Sequence, residues 1–191
     1  MSRTITITLY RFSELSNKAK KAALDAHRND FENDWSMELN NSISKIADAC
    51  EMELRETCSL HPRFEVRYDR DYDFKSNSRL MAYIWNNYID PVIWGKYYSK
   101  GKRHYYSKAT KDFHCPTGYC ADYILWEAWR EFIEDIRKAK KVLSLDDFAD
   151  VLTSHARKEI DDNYDNVTSD EYVAEMLESN NYEFLEDGTD Y

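Results

Sequence analysis

Cysteine and histidine side chains, which bind zinc in many proteins, recur in two short stretches of the sequence. Two residues separate Cys58 from His61, and four separate Cys115 from Cys120, with His114 directly before Cys115. A tetrahedral zinc site takes four such ligands, so Cys58, His61, Cys115 and Cys120 are a candidate set, with His114 able to replace one member. Only the first pair has tight spacing. The pattern therefore favours core or turn cysteines and no cofactor, with zinc as the alternative.

A redox function is a weaker interpretation of Cys115 and Cys120. Their spacing does not reproduce the C-x-x-C helix start that lowers a thiol pKa. Pro116 and Gly118 instead predict a tight turn that leads into a helix.

No complete catalytic motif occurs in the sequence. His27, His104 and His155 lie among charged or polar residues, without a Ser, Cys or carboxylate at a familiar motif spacing. We therefore expect most of these histidines at the surface and a protein without enzymatic activity. An active site assembled from distant residues is the remaining alternative.

The composition bounds the architecture and the compartment. The chain has 191 residues, 42% of them hydrophobic, with only 4 Gly and 3 Pro, which favours a single domain, 1–191, without linkers. No run of eighteen apolar residues occurs, and the N-terminus lacks the apolar core of a signal peptide. We expect a soluble protein in a reducing cytoplasm, without a membrane partner.

Charge divides the chain into two parts. Residues 144–191 hold fifteen acids and two bases, a formal charge of -13, whereas the whole chain carries -10, which leaves +3 for residues 1–143. Within the near-neutral part, a Tyr-rich stretch from Lys96 to Lys111 has six Lys or Arg residues and no acid. The sequence thus predicts an acidic helical C-terminal lobe and a basic loop at 96–111.

Alternation of apolar and polar residues predicts a few short strands. Thr4 to Leu9 alternate strictly, Phe64 to Tyr68 alternate after Pro62, and Tyr182 to Phe184 precede an Asp-Gly turn. We expect these segments to form a small antiparallel sheet.

Helical spacing dominates the rest of the sequence. Ser16, Asp122, Ser144 and Thr168 are predicted helix caps, the last two as capping boxes with Asp147 and Glu171. A long apolar stripe runs from Leu39 to Leu54 and includes Cys50, and a later helix around Leu80 to Tyr88 should end or kink at Pro91. The predicted fold class is α+β, a helix-rich domain with a small sheet.

Three segments together carry a family resemblance: Phe12–Ala22, Cys115–Asp122, and Ser169–Tyr172 together with Asn181–Gly188. They resemble a family of small bacteriophage and prophage proteins that carry the label "antitoxin of toxin-antitoxin stability system". Their order along the chain carries the resemblance. It implies a mobile-element protein that acts inside a bacterial cell, and it supplies no catalytic residues.

The charge pattern supports two classes of function. In the first, the acidic lobe binds a host nuclease or nucleic-acid-binding complex and blocks its basic channel, as anti-CRISPR or anti-restriction proteins do; an antitoxin that masks a toxin uses the same physics. The candidate contact residues are Asp146, Asp150, Asp161, Asp162, Asp165 and Asp170.

In the second class, the basic loop binds nucleic acid directly. Phosphate contacts and base stacking are the typical roles of mixed basic and aromatic residues. The candidates are Lys96, Lys100, Lys102, Arg103, Tyr105 and Lys108. No helix-turn-helix, zinc-finger or RNP signature accompanies them, so protein binding by the acidic lobe is the preferred prediction.

Overall fold

The computed structural model describes residues 6–30, 32–56, 62–67, 73–94 and 121–191. The α-helices in these ranges are α1 (Asn17–His27), α2 (Glu32–Ala49), α3 (Asn77–Ile84), α4 (Ala121–Lys138), α5 (Leu145–Val167) and α6 (Asp170–Ser179). A short 3₁₀ turn, Phe12–Glu14, precedes α1, and a π-helical segment, Trp85–Trp94, follows α3. Strands β1 (Met52–Glu56) and β2 (Pro62–Val66) pair antiparallel. The fold is therefore α+β, with many helices and a small sheet, as the sequence predicts.

The chain divides into two compact units. The terminal unit combines Met1–Ser36 with Asp161–Tyr191, and the central unit is Met37–Ile160. The sequence predicts one domain, in which a near-neutral part is followed by an acidic part from residue 144. The boundaries between the two units lie at 36/37 and 160/161 instead.

The central unit has an aromatic and aliphatic core. Phe148 of α5 lies edge-on to Phe132 of α4, with ring centroids 5.2 Å apart, and stacks on Tyr88 at 6.4 Å. The sheet is tied to α5 by a hydrogen bond of 3.0 Å from the Phe64 amide to the Thr153 hydroxyl. This bond satisfies a backbone donor on the outer edge of β2, which is buried at Phe64.

The terminal unit has its own hydrophobic core. Its buried members are Phe12, Leu15, Ala19, Ala23, Val173, Leu177 and Phe184. The small side chains on α1 allow α6 to approach closely. The Ser16 hydroxyl accepts a hydrogen bond from the Ala19 amide at the start of α1, which confirms the predicted cap.

The prediction of an N-terminal strand is wrong for its described part. Residues 6–9 form no strand, and Ile7 is 47% exposed. Pairing begins at Tyr10, which forms an isolated antiparallel bridge with Phe184; Phe184 in turn bridges Asp190. The alternating pattern has no neighbouring strand to pack against among the described residues. The sheet instead joins β2, the predicted Phe64 strand, to β1.

Several predicted helix ends also need correction. Helix α2 stops at Ala49, before the predicted Leu54, because Glu51 adopts a left-handed conformation with φ of 52° and the chain then enters β1. Pro91 does not end its helix, which continues with π spacing to Trp94. Asp122 lies inside α4 rather than capping it. Helix α6 is capped by Ser169 instead of Thr168.

Candidate protein-binding surface

Helix α5 is positioned by the capping box that the sequence predicts. The Ser144 amide donates to the Asp147 carboxylate at 2.7 Å, and the Asp147 amide donates back to the Ser144 hydroxyl at 3.1 Å. One side of α5 is buried through Phe148, Leu152 and Ala156. The cap determines where the helix begins, and the buried stripe determines which side of the helix faces solvent.

The solvent side of α5 carries the predicted contact residues. Asp146, Asp150, Asp161, Asp162 and Asp165 are all exposed. None of these five forms an ion pair with a base in the described part of the chain. These five residues therefore place solvent-exposed carboxylates on both units.

The spacing of these carboxylates works against the stability of the helix. Asp146 and Asp150, and likewise Asp161 and Asp165, are four residues apart, so each pair places like charges on neighbouring turns. Such a pair destabilises a helix by about 0.2–0.5 kcal/mol. Asp146 lies in the first turn, where the helix dipole favours an acid, but Asp165 lies in a last turn that contains no base. Helix stability therefore does not explain Asp165.

Asp170 differs from the other five candidates because it has an internal partner. Its carboxylate accepts a 2.6 Å hydrogen bond from Arg28, which also contacts Asp25 at 3.1 Å and donates to the Thr168 carbonyl. Hydrogen bonds to Asp170 and then to Asp25 raise the pKa of the Arg28 guanidinium. Asp170 thus helps to join α6 to the end of α1, within the terminal unit.

His27 is buried, whereas the sequence predicts that most of the three histidines lie at the surface. Only 4% of the residue is exposed. Its Nδ1 lies 2.6 Å from Asp30 and its Nε2 lies 2.7 Å from Asp190. Burial lowers the pKa of His27, but the hydrogen bonds and charges of Asp190 and Asp30 outweigh burial, so that the pKa is raised above its ordinary value of 6.5. No local sequence pattern indicates this cluster, because Asp190 lies 163 residues from His27 in the chain.

His155 and Cys50 lie in different environments from His27. His155 is partly exposed and pairs with Glu131 at 2.8 Å. Cys50 is fully buried, as predicted, and desolvation raises the pKa of its thiol, which keeps it protonated and unreactive.

Two predicted sites lie outside the described residues. They are the zinc candidates Cys58, His61, Cys115 and Cys120, with the alternative His114, and the basic loop 96–111, which contains Lys96, Lys100, Lys102, Arg103, Tyr105, Lys108 and also His104. Among the residues that the structure describes, no three His, Cys, Asp or Glu side chains converge as ligands for a metal.

The surface of α5 is thus the predicted site that the structure describes most fully. Comparison with protein-family models, with curated proteins and with solved structures found no match to the chain. In the described ranges, no helix combines the length and hydrophobicity needed to cross a membrane.

Proposed function

We propose that this chain is a non-enzymatic protein binder, encoded by a phage or another mobile element, that inhibits a host defence nuclease in the bacterial cytoplasm. Its acidic lobe covers the basic surface on which the nuclease holds nucleic acid. The anti-CRISPR and anti-restriction proteins are inhibitors of this general kind.

The observation that carries the proposal is the carboxylate array on α5. Asp161 and Asp165 repel one another near the end of the helix, and neither has a basic partner among the described residues. A cationic partner would remove this repulsion on binding. Because nucleases bind nucleic acid through Lys and Arg, their binding channels have the matching charge.

The resemblance to phage proteins labelled as antitoxins supports a second candidate within the same class. An antitoxin that masks a basic ribonuclease toxin would use the same carboxylates. The two candidates differ in the partner: a defence complex of the host in one, and a toxin encoded beside the inhibitor in the other.

The experiment begins with capture of the partner from a bacterial host and its identification by mass spectrometry. The purified partner is then titrated with labelled nucleic acid at increasing concentrations of this chain. We expect competitive displacement of nucleic acid, and an affinity between the two proteins that falls steeply as salt rises from about 0.05 to 0.2 M. Inhibition that is not competitive with nucleic acid, or that salt does not weaken, would refute charge-based blocking.

Matched charge-reversal variants test the surface itself. Asp146→Lys with Asp150→Lys changes the exposed side of α5, and Asp48→Lys with Asp73→Lys makes the same charge change at exposed positions elsewhere in the central unit. We expect the first pair to weaken partner binding at least tenfold and the second pair to change it less than threefold. Equal effects would show that net charge, rather than this surface, controls binding.

A second charge reversal addresses the terminal unit. Asp161→Lys with Asp165→Lys places cations near the C-terminal end of α5, where the helix dipole favours them. The substitution at 161 also places a cation four residues after Arg157, which disfavours the helix. Circular dichroism must therefore show an intact helix before a loss of binding is assigned to the interface. Full binding by both α5 variants would place the interface on another surface.

A further inference from the structure

The last residues of the chain form a small hairpin that closes the terminal unit. Within this C-terminal hairpin, residues 183–191, the Leu185 amide donates to the Thr189 carbonyl at 2.8 Å, and Phe184 exchanges two 2.9 Å backbone hydrogen bonds with Tyr10. Phe184 is fully buried in the core of the unit. The hairpin thus connects to the core through Phe184, and to α1 through the side chain of Asp190 and the close approach of Gly188 to Ala19.

His27 provides the connection to Asp190. Its ring is 5% exposed, whereas the side chains of Asp30 and Asp190 are 51% and 54% exposed. The ring of Tyr182 meets it edge-on with centroids 5.0 Å apart, and the ring of Phe184 does so at 6.0 Å. The imidazole thus packs against two aromatic rings, with a carboxylate at each nitrogen.

The protonation state of the ring determines whether both carboxylates can remain hydrogen-bonded to it. An imidazolium donates from both nitrogens, but a neutral imidazole has one donor and one lone pair. At 2.6 and 2.7 Å, a neutral ring would direct its lone pair at a carboxylate oxygen. The charged groups that act on the ring in the described part of the chain are Asp190, from the hairpin, and Asp30, from the turn after α1.

We propose that His27, Asp30 and Asp190 form a pH-sensitive latch that holds the C-terminal hairpin on α1 while the ring is protonated. Deprotonation removes one of the two hydrogen bonds. Asp30 is only three residues from His27, so its chain stays nearby. Without the hydrogen bond to His27, the outer arm that carries Asp190 is held by backbone hydrogen bonds to the inner arm and opens more readily. The inner arm stays paired with Tyr10. The latch does not depend on the acidic surface of α5 or on the proposed function.

The direction of the pH dependence follows from the raised pKa of His27. The folded state binds its proton more tightly than the unfolded state does, so the contribution to stability is fully present below pH 6.5. It is lost as the pH rises through the pKa of the folded state. The latch is closed in mildly acidic conditions and opens on the alkaline side.

Two NMR measurements on the full chain test the latch. The ring resonances of His27, followed across pH 5 to 9, report its pKa, for which we expect a value above 6.5. Hydrogen exchange of the Leu185 amide, corrected for the intrinsic effect of pH, reports opening of the hairpin. We expect protection to fall as His27 deprotonates, by at most about tenfold per pH unit, the limit for one proton. The Phe64 amide in the central unit should show no such trend.

Substitutions separate a latch from a merely structural histidine. His27→Gln and Asp190→Asn should both remove the pH dependence of Leu185 protection, and Asp190→Asn should also lower the pKa of His27. His155→Gln, which removes another carboxylate-paired histidine, should leave both readouts unchanged. Asp190 is half-exposed, so its variant can be measured even where His27→Gln does not fold. A His27 pKa at or below 6.5, or an unchanged pH profile in Asp190→Asn, would overturn the proposal.

Discussion

The acids around α1 and the acids along α5 have opposite surroundings, although both sets are exposed or half-exposed. Asp170 binds Arg28, and Asp190 binds His27, each at a distance below 3 Å. Asp161 and Asp165 instead lie one helical turn apart and form no ion pair with a base in the described ranges. Carboxylates with an internal cation connect elements of the terminal unit, whereas those without one are, in our proposal, the contacts for an external cation. Charge count alone does not distinguish these roles.

The largest loss of stability is expected from a substitution that displaces the C-terminal hairpin, which carries Asp190 to the acids around α1. Gly188 has φ of 89°, and a Cβ atom there would lie 2.2 Å from the Ala19 carbonyl oxygen. Gly188→Ala should therefore destabilise the terminal unit by at least about 2 kcal/mol, through backbone strain and the clash. Chemical unfolding measures the loss. Glu186→Ala, at an exposed position in the same turn, should stay within about 0.5 kcal/mol of the wild type. An equally stable Gly188→Ala would contradict the packing of the hairpin on α1.

A smaller effect is expected at the ion pair between α1 and α6. Arg28→Ala removes the hydrogen bonds to Asp170, Asp25 and the Thr168 carbonyl and should lower the thermal unfolding midpoint by less than Gly188→Ala does. Asp170→Asn should cost less again, because two of the three partners remain. The double variant should be more stable than the sum of the single losses predicts, since both remove the same contact. Strict additivity would show that Asp170 is energetically independent of Arg28.

The smallest expected effect has the opposite sign. Asp161→Asn with Asp165→Asn removes a like-charge pair on α5 and should raise the free energy of unfolding by about 0.2–0.5 kcal/mol. The same variant should bind the partner less tightly. Asp48→Asn, an exposed position on α2, serves as the control for a simple loss of negative charge. A destabilised double variant would mean that these carboxylates have a structural role, as Asp170 does.

Features that depend on neighbouring residues were predictable from the sequence. The caps at Ser16 and Ser144, the buried Cys50 and the Phe64 strand all follow from spacing within one turn or one strand. The exposed acids of α5 follow from the same helical periodicity. The predicted cap of α6 is one residue too early. Thr168 and Ser169 are both good caps, and only the backbone geometry selects Ser169.

Features that depend on distant residues were not predictable. The burial of His27 requires Asp190, which is 163 residues away in the chain. The early end of α2 requires a left-handed conformation at Glu51, a residue type that does not favour it. The alternation of Thr4 to Leu9 is a real strand signal, but a strand needs a partner, and the available partner, Phe184, pairs with Tyr10 instead. Local patterns do not contain this information.

The discontinuous composition of the terminal unit has a consequence for folding during synthesis. The central unit comes from one continuous stretch, Met37–Ile160, whereas the terminal unit joins Met1–Ser36 to Asp161–Tyr191. During synthesis, the apolar face of α1 therefore lacks its native packing partners until α6 and Phe184 have been made. Helix α1 emerges before the central unit and is among the last elements to complete its packing, and this interval is when chaperones or premature aggregation would act on the nascent chain.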